Sequence, residues 1–157
     1  MKISILAVGK TTTPYIREAT EAYLKRISHY VPVEFVAIAD VKISKSATRE
    51  QQKEREGEAI MASLQPGDRV VLLDERGRQY TSREFATAID SRMVQGLKRL
   101  VFVIGGPYGF SDAVYSRADG KISLSKMTFS HEMVRLFFAE QIYRAMTILR
   151  GEPYHHD

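Results

Sequence analysis

The stretch "LVFVIGGPYGFS", residues 100–111, runs through five apolar residues, two glycines, a proline, a third glycine and a serine. An unbroken apolar run bounded by turn residues describes a strand buried on both faces, the kind found inside a parallel sheet. Glycine reaches backbone conformations closed to other residues and has no side chain to hold a ligand away. Gly105 and Gly106 can therefore bring bare peptide groups against a bound molecule. A tight strand-to-helix turn accounts for one glycine easily and for two less easily, and a short helix is expected from Ser111.

Outward from this stretch the chain alternates in the same way. "KISILAV", closed by Gly9, is a first buried strand, and Pro14 is placed as the first helical residue behind a Thr13 cap. Ile16, Ala19, Tyr23, Ile27 and Tyr30 recur at helical spacing, and this helix stops before Pro32. "VEFVAIA" is a second strand, and the charged segment 47–58 continues as a helix to the turn "QPGD". "RVVLLDERG" is a third strand meeting a turn at residues 74–77, and "TSREFATAIDSRMVQG" is a capped helix ended by Gly96. After the glycine-rich stretch come a brief strand and irregular loop in "KISLSKMTFS", a long helix in "HEMVRLFFAEQIYRAMTILR" and the tail "GEPYHHD". Strands alternating with helices predict one α/β domain over residues 1–157, with a mainly parallel sheet and helices on both faces. Such sheets bind ligands beyond the carboxyl ends of their strands, which singles out "LLDERG", "IGGPYGF" and "LSKMTF".

Several chemistries are excluded. Cysteine is absent, so there is no thiolate nucleophile, disulfide or cysteine-ligated metal, and a reducing cytoplasm is expected. No stretch approaches the roughly 18 apolar residues of a membrane span, and the N-terminal run is too short for a signal peptide. The net charge of +4 permits a nucleic-acid partner without requiring one. Gly9 is followed by "KTTTP" rather than a dinucleotide fingerprint, and the glycine a phosphate loop needs ahead of "GKT" falls at Ser4, inside the strand. There is no G-x-S-x-G elbow, and His29, His131, His155 and His156 lack zinc-protease spacing. No metal is expected. The last helix is apolar over more of its circumference than one buried stripe requires, which burial against a second subunit would explain. "LSKMTF" mixes small, polar and apolar residues suited to wrapping an aromatic ring.

"KISILAVGK", "VFVIGGPYGF" and the block "ISLSKMTFSHEMVRLFFAEQIYRAMTILRGEPYHH" together resemble, over the whole length, the ribosomal large-subunit methyltransferase H family of the SPOUT class. The resemblance implies S-adenosyl-L-methionine as methyl donor, N3 of a pseudouridine in 23S rRNA of the ribosome as acceptor, a homodimer, and a C-terminal trefoil knot. It also implies that the donor is held by Leu73, Gly105 and the run Leu124, Ser125, Lys126, Met127, Thr128 and Phe129. Many relatives carry glutamate where this chain has Tyr108, so no role for a carboxylate there is carried over. A non-catalytic RNA- or nucleotide-binding module on the same fold and a tRNA methyltransferase are the alternative readings.

Methyl transfer to a ring nitrogen needs in-line geometry and a group to take the N3 proton. His131, Tyr154 and His155 are the candidates. His131 begins the last helix beside the donor loop, where it is equally readable as a helix-entry residue. Tyr154 and His155 lie on a tail that either frays or crosses to a partner's pocket. Arg135, Arg144 and Arg150 are candidate RNA-phosphate contacts. The spacings Glu132 to Arg135 and Glu140 to Arg144 equally suit pairs within the helix, so Arg150 is the better RNA candidate.

Overall fold

The computed structural model describes residues 1–157. Ten elements follow in chain order: β1 (Lys2–Val8), α1 (Pro14–Ile27), β2 (Val33–Ile38), α2 (Arg49–Ala62), β3 (Arg69–Arg78), α3 (Ser82–Val94), β4 (Arg99–Ile104), α4 (Asp112–Arg117), β5 (Gly120–Ile122) and α5 (Met133–Leu149). The strands form one sheet of order β2-β1-β4-β3-β5, and every pairing is parallel. No helix is long and apolar enough to cross a membrane.

The two faces follow from the alternation of side chains along each strand. Ile3, Ile5, Val71, Phe102 and Ile104 point into a core closed by Ile27 of α1, Phe85 and Ile89 of α3, and Phe138 and Ile142 of α5. Leu6, Val70, Leu72, Val101 and Val103 point the other way, against Ile60 of α2 and Val114 of α4. The helices thus cover both faces, as the unbroken apolar runs predict. Phe102 and Phe138 meet edge to face with centroids 4.8 Å apart, anchoring α5 beneath the middle of the sheet. Helix α5 packs against α1 on one side and α3 on the other. That central place explains most of its apolar breadth within a single subunit, leaving Phe137 (41 % exposed) and Leu149 (37 % exposed) as its outward residue of apolar surface.

Three local expectations are corrected. Residues 74–77 do not end the third strand: Ile122 pairs with both Leu73 and Arg78, so the four residues arch out as a bulge and β3 resumes beyond them. Gly77 makes this possible, because a Cβ there would lie 2.5 Å from the carbonyl carbon of Ile122. Helix α5 starts at Met133, so His131 lies in the turn before it. Thr13 precedes α1 without capping it by its own side chain. Glu132, from the far end of the chain, instead holds the two residues that lead into the helix: its Oε1 accepts the amides of Thr12 (2.7 Å) and Thr13 (2.9 Å), and its Oε2 accepts both threonine hydroxyls at 3.2 Å. A carboxylate at a helix N-terminus is favoured by the unpaired amides and the helix dipole. These bonds, led by the Thr13 amide, hold the Glu132 carboxyl below its ordinary range.

Arg135 sits in the first turn of α5 and is 1 % exposed. Its Nε donates to the His131 carbonyl (3.1 Å), Nη1 to the Gly9 carbonyl and the Thr11 hydroxyl (2.9 Å each), and Nη2 to the Val8 carbonyl (2.8 Å). Burial pushes this guanidinium down from its usual value, against the weaker pull of Glu132 and Asp40. The reading of Arg135 as an RNA contact is therefore overturned, since its donors are spent on carbonyls inside the protein. Arg135→Met is expected to lower stability by about 3 kcal/mol by stripping donors from buried acceptors, and the melting temperature by roughly 6–12 °C, measurable by calorimetry.

Candidate functional site

Strands β3, β4 and β5 release the chain at the same edge of the sheet, and a cleft of ≈ 900 Å³ opens there. That is within the range of about 300–1,000 Å³ typical of small-molecule sites. Leu73 comes from β3 just before its bulge, Ile104 from the end of β4, Gly105 to Phe110 from the turn after β4, and Leu124, Ser125, Met127, Thr128 and Phe129 from the segment before α5. Arg49 and Lys53 of α2, Tyr115 of α4 and Val134 of α5 complete the wall.

The glycines of the β4 turn have distinct reasons. Gly109 has φ +81°, a conformation that disfavours any side chain, and it turns the chain toward α4. Gly105 and Gly106 need no unusual φ; their missing side chains make room for neighbours. A Cβ on Gly105 would lie 2.9 Å from the Phe110 ring, and one on Gly106 would strike the buried carboxylate of Glu56. Glu56 Oε1 accepts from Gln52 Nε2 at 3.0 Å, which holds the carboxylate beneath the turn.

The bulge of β3 is pinned across the cleft wall. The Tyr115 hydroxyl donates to Asp74 Oδ2, Asp74 Oδ1 accepts the Arg76 amide (2.8 Å), and Arg76 Nη2 donates to the Tyr115 oxygen (3.1 Å). Burial pushes the Asp74 carboxyl up, but the Tyr115 and Arg76 hydrogen bonds outweigh it and leave the group below its usual value. Burial and the same carboxylate raise Tyr115. On the opposite wall, Ser125 Oγ accepts the Met127 amide (3.0 Å), and Ser130 Oγ accepts the Met133 amide (3.1 Å). The segment between β5 and α5 is thus shaped by its serines.

Of the residues singled out in the sequence, Leu73, Gly105, Leu124, Ser125, Met127, Thr128, Phe129 and His131 converge on this cleft; Lys126 is exposed and does not line it. Tyr154 and His155 lie elsewhere in the subunit. The Tyr154 hydroxyl donates to Glu140 Oε1 (3.0 Å) and contacts the Tyr23 hydroxyl (3.3 Å), while His155 Nδ1 is 3.2 Å from Arg144 Nη1. Glu140 is about 12 Å along the helix axis from Glu132, so the tail cluster stands apart from the cleft. Arg144 pairs with Glu140 at 2.6 Å, the intrahelical partner its spacing allows. Asp157 is bonded by Arg83 Nε (2.8 Å) and His155 Nε2 (3.0 Å), and these partners, Arg83 foremost, lower its carboxyl to about 2. The tail is docked in this subunit rather than frayed. Arg150 is exposed, with its guanidinium 5.6 Å over the Tyr30 ring, near the start of β2 and so at the sheet edge away from the cleft. No three His, Asp or Glu side chains come together as a metal-ligand set.

The family described as "Predicted SPOUT methyltransferase" matches residues 1–155. The chain is 57 % identical over 157 residues to a Parabacteroides distasonis protein and 54 % identical over 157 residues to one from Bacteroides fragilis, covering all of both chains. It is 50 % identical over 156 residues to a Flavobacterium johnsoniae protein, covering 99 % of each. All three relatives bear the name Ribosomal RNA large subunit methyltransferase H. A solved structure of a "probable methylase family protein" from Haemophilus influenzae Rd KW20 superposes with TM-score 0.55 at 12 % identity, over 99 % of this chain and 70 % of that one, and so bears on the fold alone.

Gly106→Ala is expected to cost about 1–3 kcal/mol through the clash with Glu56, and Glu56→Ala in the same chain should recover part of it, as denaturant midpoints in a double-mutant cycle would read. The tail carries a pH signature. The Tyr30 hydroxyl donates to Glu152, which raises its pKa to about 12; burial, Tyr23 and Glu140 raise Tyr154. Folding favours the protonated phenols, and the Tyr30 contribution is whole below the ordinary value of 10.0 and is lost as pH climbs through about 12. Spectrophotometric titration should find three late-ionising tyrosines, Tyr30, Tyr115 and Tyr154, the first returned toward normal by Glu152→Gln and the last in part by Glu140→Gln.

Proposed function

This chain belongs to the SPOUT methyltransferase family, and from that premise we propose that it uses S-adenosyl-L-methionine to methylate N3 of a pseudouridine in 23S rRNA, acting as a homodimer on the assembled ribosome. The observation that carries the rRNA substrate is end-to-end similarity to relatives named for large-subunit rRNA methylation. The C-terminal trefoil knot implied by the resemblance belongs to the same proposal, as does a cytoplasmic location.

The cleft fits such a donor. Leu73, Ile104, Leu124 and Met127 offer apolar walls for a purine ring, Asp74 and Ser125 offer polar groups beside it, and the turn at Gly105 and Gly106, packed from behind by Phe110 and Glu56, presents main chain without side chains to the cleft. The donor, when bound, supplies an electrophilic methyl group on a sulfonium sulfur. The chain's own task is to fix the acceptor in line with that group and to receive the N3 proton as the nitrogen's lone pair forms the new bond. His131 lines the cleft and is the proton acceptor within the subunit. The Tyr154 hydroxyl, whose one proton is donated to Glu140, has its oxygen left to accept a hydrogen bond from the acceptor base.

Tyr154 and His155 do not reach the cleft of their own subunit, so a complete site calls for the tail of a second copy. Phe129 and Phe137, in tilted contact at 5.5 Å and both about two-fifths exposed, supply apolar surface for that association. Arg150 at the tail's root then serves as a phosphate contact beside the partner's cleft, while Arg144 holds His155 and Glu140 in place.

Incubation with labelled methyl donor and either ribosomes, protein-free rRNA or tRNA tests the reading: label is expected on ribosomes, at N3 of a pseudouridine. Donor binding without transfer to any RNA would leave a binding module instead, and label on tRNA a different enzyme. Truncation after Gly151 should spare donor binding by calorimetry and reduce transfer at least a hundredfold.

A further inference from the structure

The cations of this chain are distributed unequally between the two ends of its strands. At the amino-terminal edge the cations that begin the strands are matched: Lys2 meets Glu34 at 2.8 Å, Arg99 meets Asp68 at 2.8 Å, and Arg69 lies 4.0 Å from Asp119, while Lys98 and Arg150 beside them are exposed and in no ion pair. At the carboxyl edge the registers Val8 with Ile38 and Ala7 with Ile104 bring the loops after β1, β2 and β4 side by side. The Gly9 amide donates to the Ile38 carbonyl at 2.7 Å, and a Cβ on Gly9 would lie 2.7 Å from Asp40 Oδ1, so the first two loops are in contact.

Those loops, with the first residue of α2, carry Lys10, Lys42, Lys45 and Arg49, all exposed and none in an ion pair; Asp40 is the one carboxylate on these segments, and that of Glu132, seated on the first loop, is taken up by Thr12 and Thr13. Lys53, one turn further along α2, is satisfied by Glu50 at 2.7 Å. Arg49 joins the rim to the cleft: its guanidinium sits 5.2 Å over the ring of Tyr108, which is 40 % exposed in the cleft wall. A guanidinium laid on an aromatic ring presents a flat cationic platform of the kind on which nucleobases stack.

Resting on the rRNA reading of the cleft, we infer that the rim formed by Lys10, Lys42, Lys45 and Arg49 is a track for the RNA backbone next to the target nucleotide, ending on an Arg49–Tyr108 platform for a flanking base. Unmatched cations on adjacent loops suit phosphates spaced along a strand, and their release of counterions makes the contact dependent on salt. Arg150, the RNA candidate read from sequence, lies at the other edge of the same subunit, so the rim is a separate surface.

The test is Lys42→Glu/Lys45→Glu, two exposed positions outside the cleft. Binding of the full-length protein to ribosomes and to protein-free 23S rRNA would be measured across a salt series, beside donor binding by calorimetry and transfer to ribosomes. The variant should bind both RNA-containing probes at least about tenfold more weakly and lose about 1.5 from the log–log salt slope. Its donor affinity should stay within twofold of the parent, and its ribosome KM should rise with kcat retained. Unchanged binding and slope would overturn the inference, as would a loss confined to ribosomes with the rRNA slope intact, which would indicate a protein contact. A parent that binds ribosomes in this salt-dependent way, with the variant weakened, but transfers no methyl group would refute the proposed reaction and leave the rim standing. A parent that binds neither probe would refute the rim.

Discussion

The guanidinium of Arg135 is the tie on which the arrangement of the cleft depends. A buried cation is tolerated only where hydrogen bonds replace the water it has lost. Here they come from carbonyls at the end of β1 and from the turn before α5. The same turn is drawn to the start of α1 by the Glu132 carboxylate. Two residues of one helix turn therefore fix the C-terminal segment against the N-terminal strand, and His131 is placed by its own carbonyl. Because the segment ahead of this tie forms a cleft wall, its geometry is set by contacts across nearly the whole chain length.

The second constraint is space. Gly106 carries no side chain because the Glu56 carboxylate occupies that position, and Gly77 carries none because the Ile122 backbone passes beside it. The cleft is bounded by main chain that has been packed from behind, which gives a rigid floor without bulk on its open side. Asp74, Tyr115 and Arg76 supply the corresponding rigidity along the β3 bulge.

Much of this was legible in the residues. Unbroken apolar runs located the strands and implied a sheet covered on both faces, helical spacing located the helices, and Thr81 with Glu84 forms the cap of the third helix. The glycine turn and "LSKMTF" were rightly placed at the carboxyl edge, although the assignment of single residues to the donor came from family resemblance. What could not be read depended on pairing between distant segments. The bulge at 74–77 exists because β5 realigns with β3, and "DERG" taken alone is an ordinary turn sequence. Arg135 looked like a solvent-facing partner of Glu132, because local spacing cannot reveal that both side chains reach the first loop instead. Arg49 and Tyr108 are nearly sixty residues apart, and only the fold lays one upon the other.

The strand order carries a kinetic consequence. β1 finds its second neighbour only in β4, with Lys2 opposite Arg99, and β3 must await β4 and β5 on its two sides. Apart from β1 with β2, no sheet contact can form until the chain is well past its midpoint, so the loop-closure entropy falls due before most of the stabilising contacts exist. Such non-local pairing is expected to slow refolding, and a half-made sheet with the β1 edge open offers an unpaired strand to other chains.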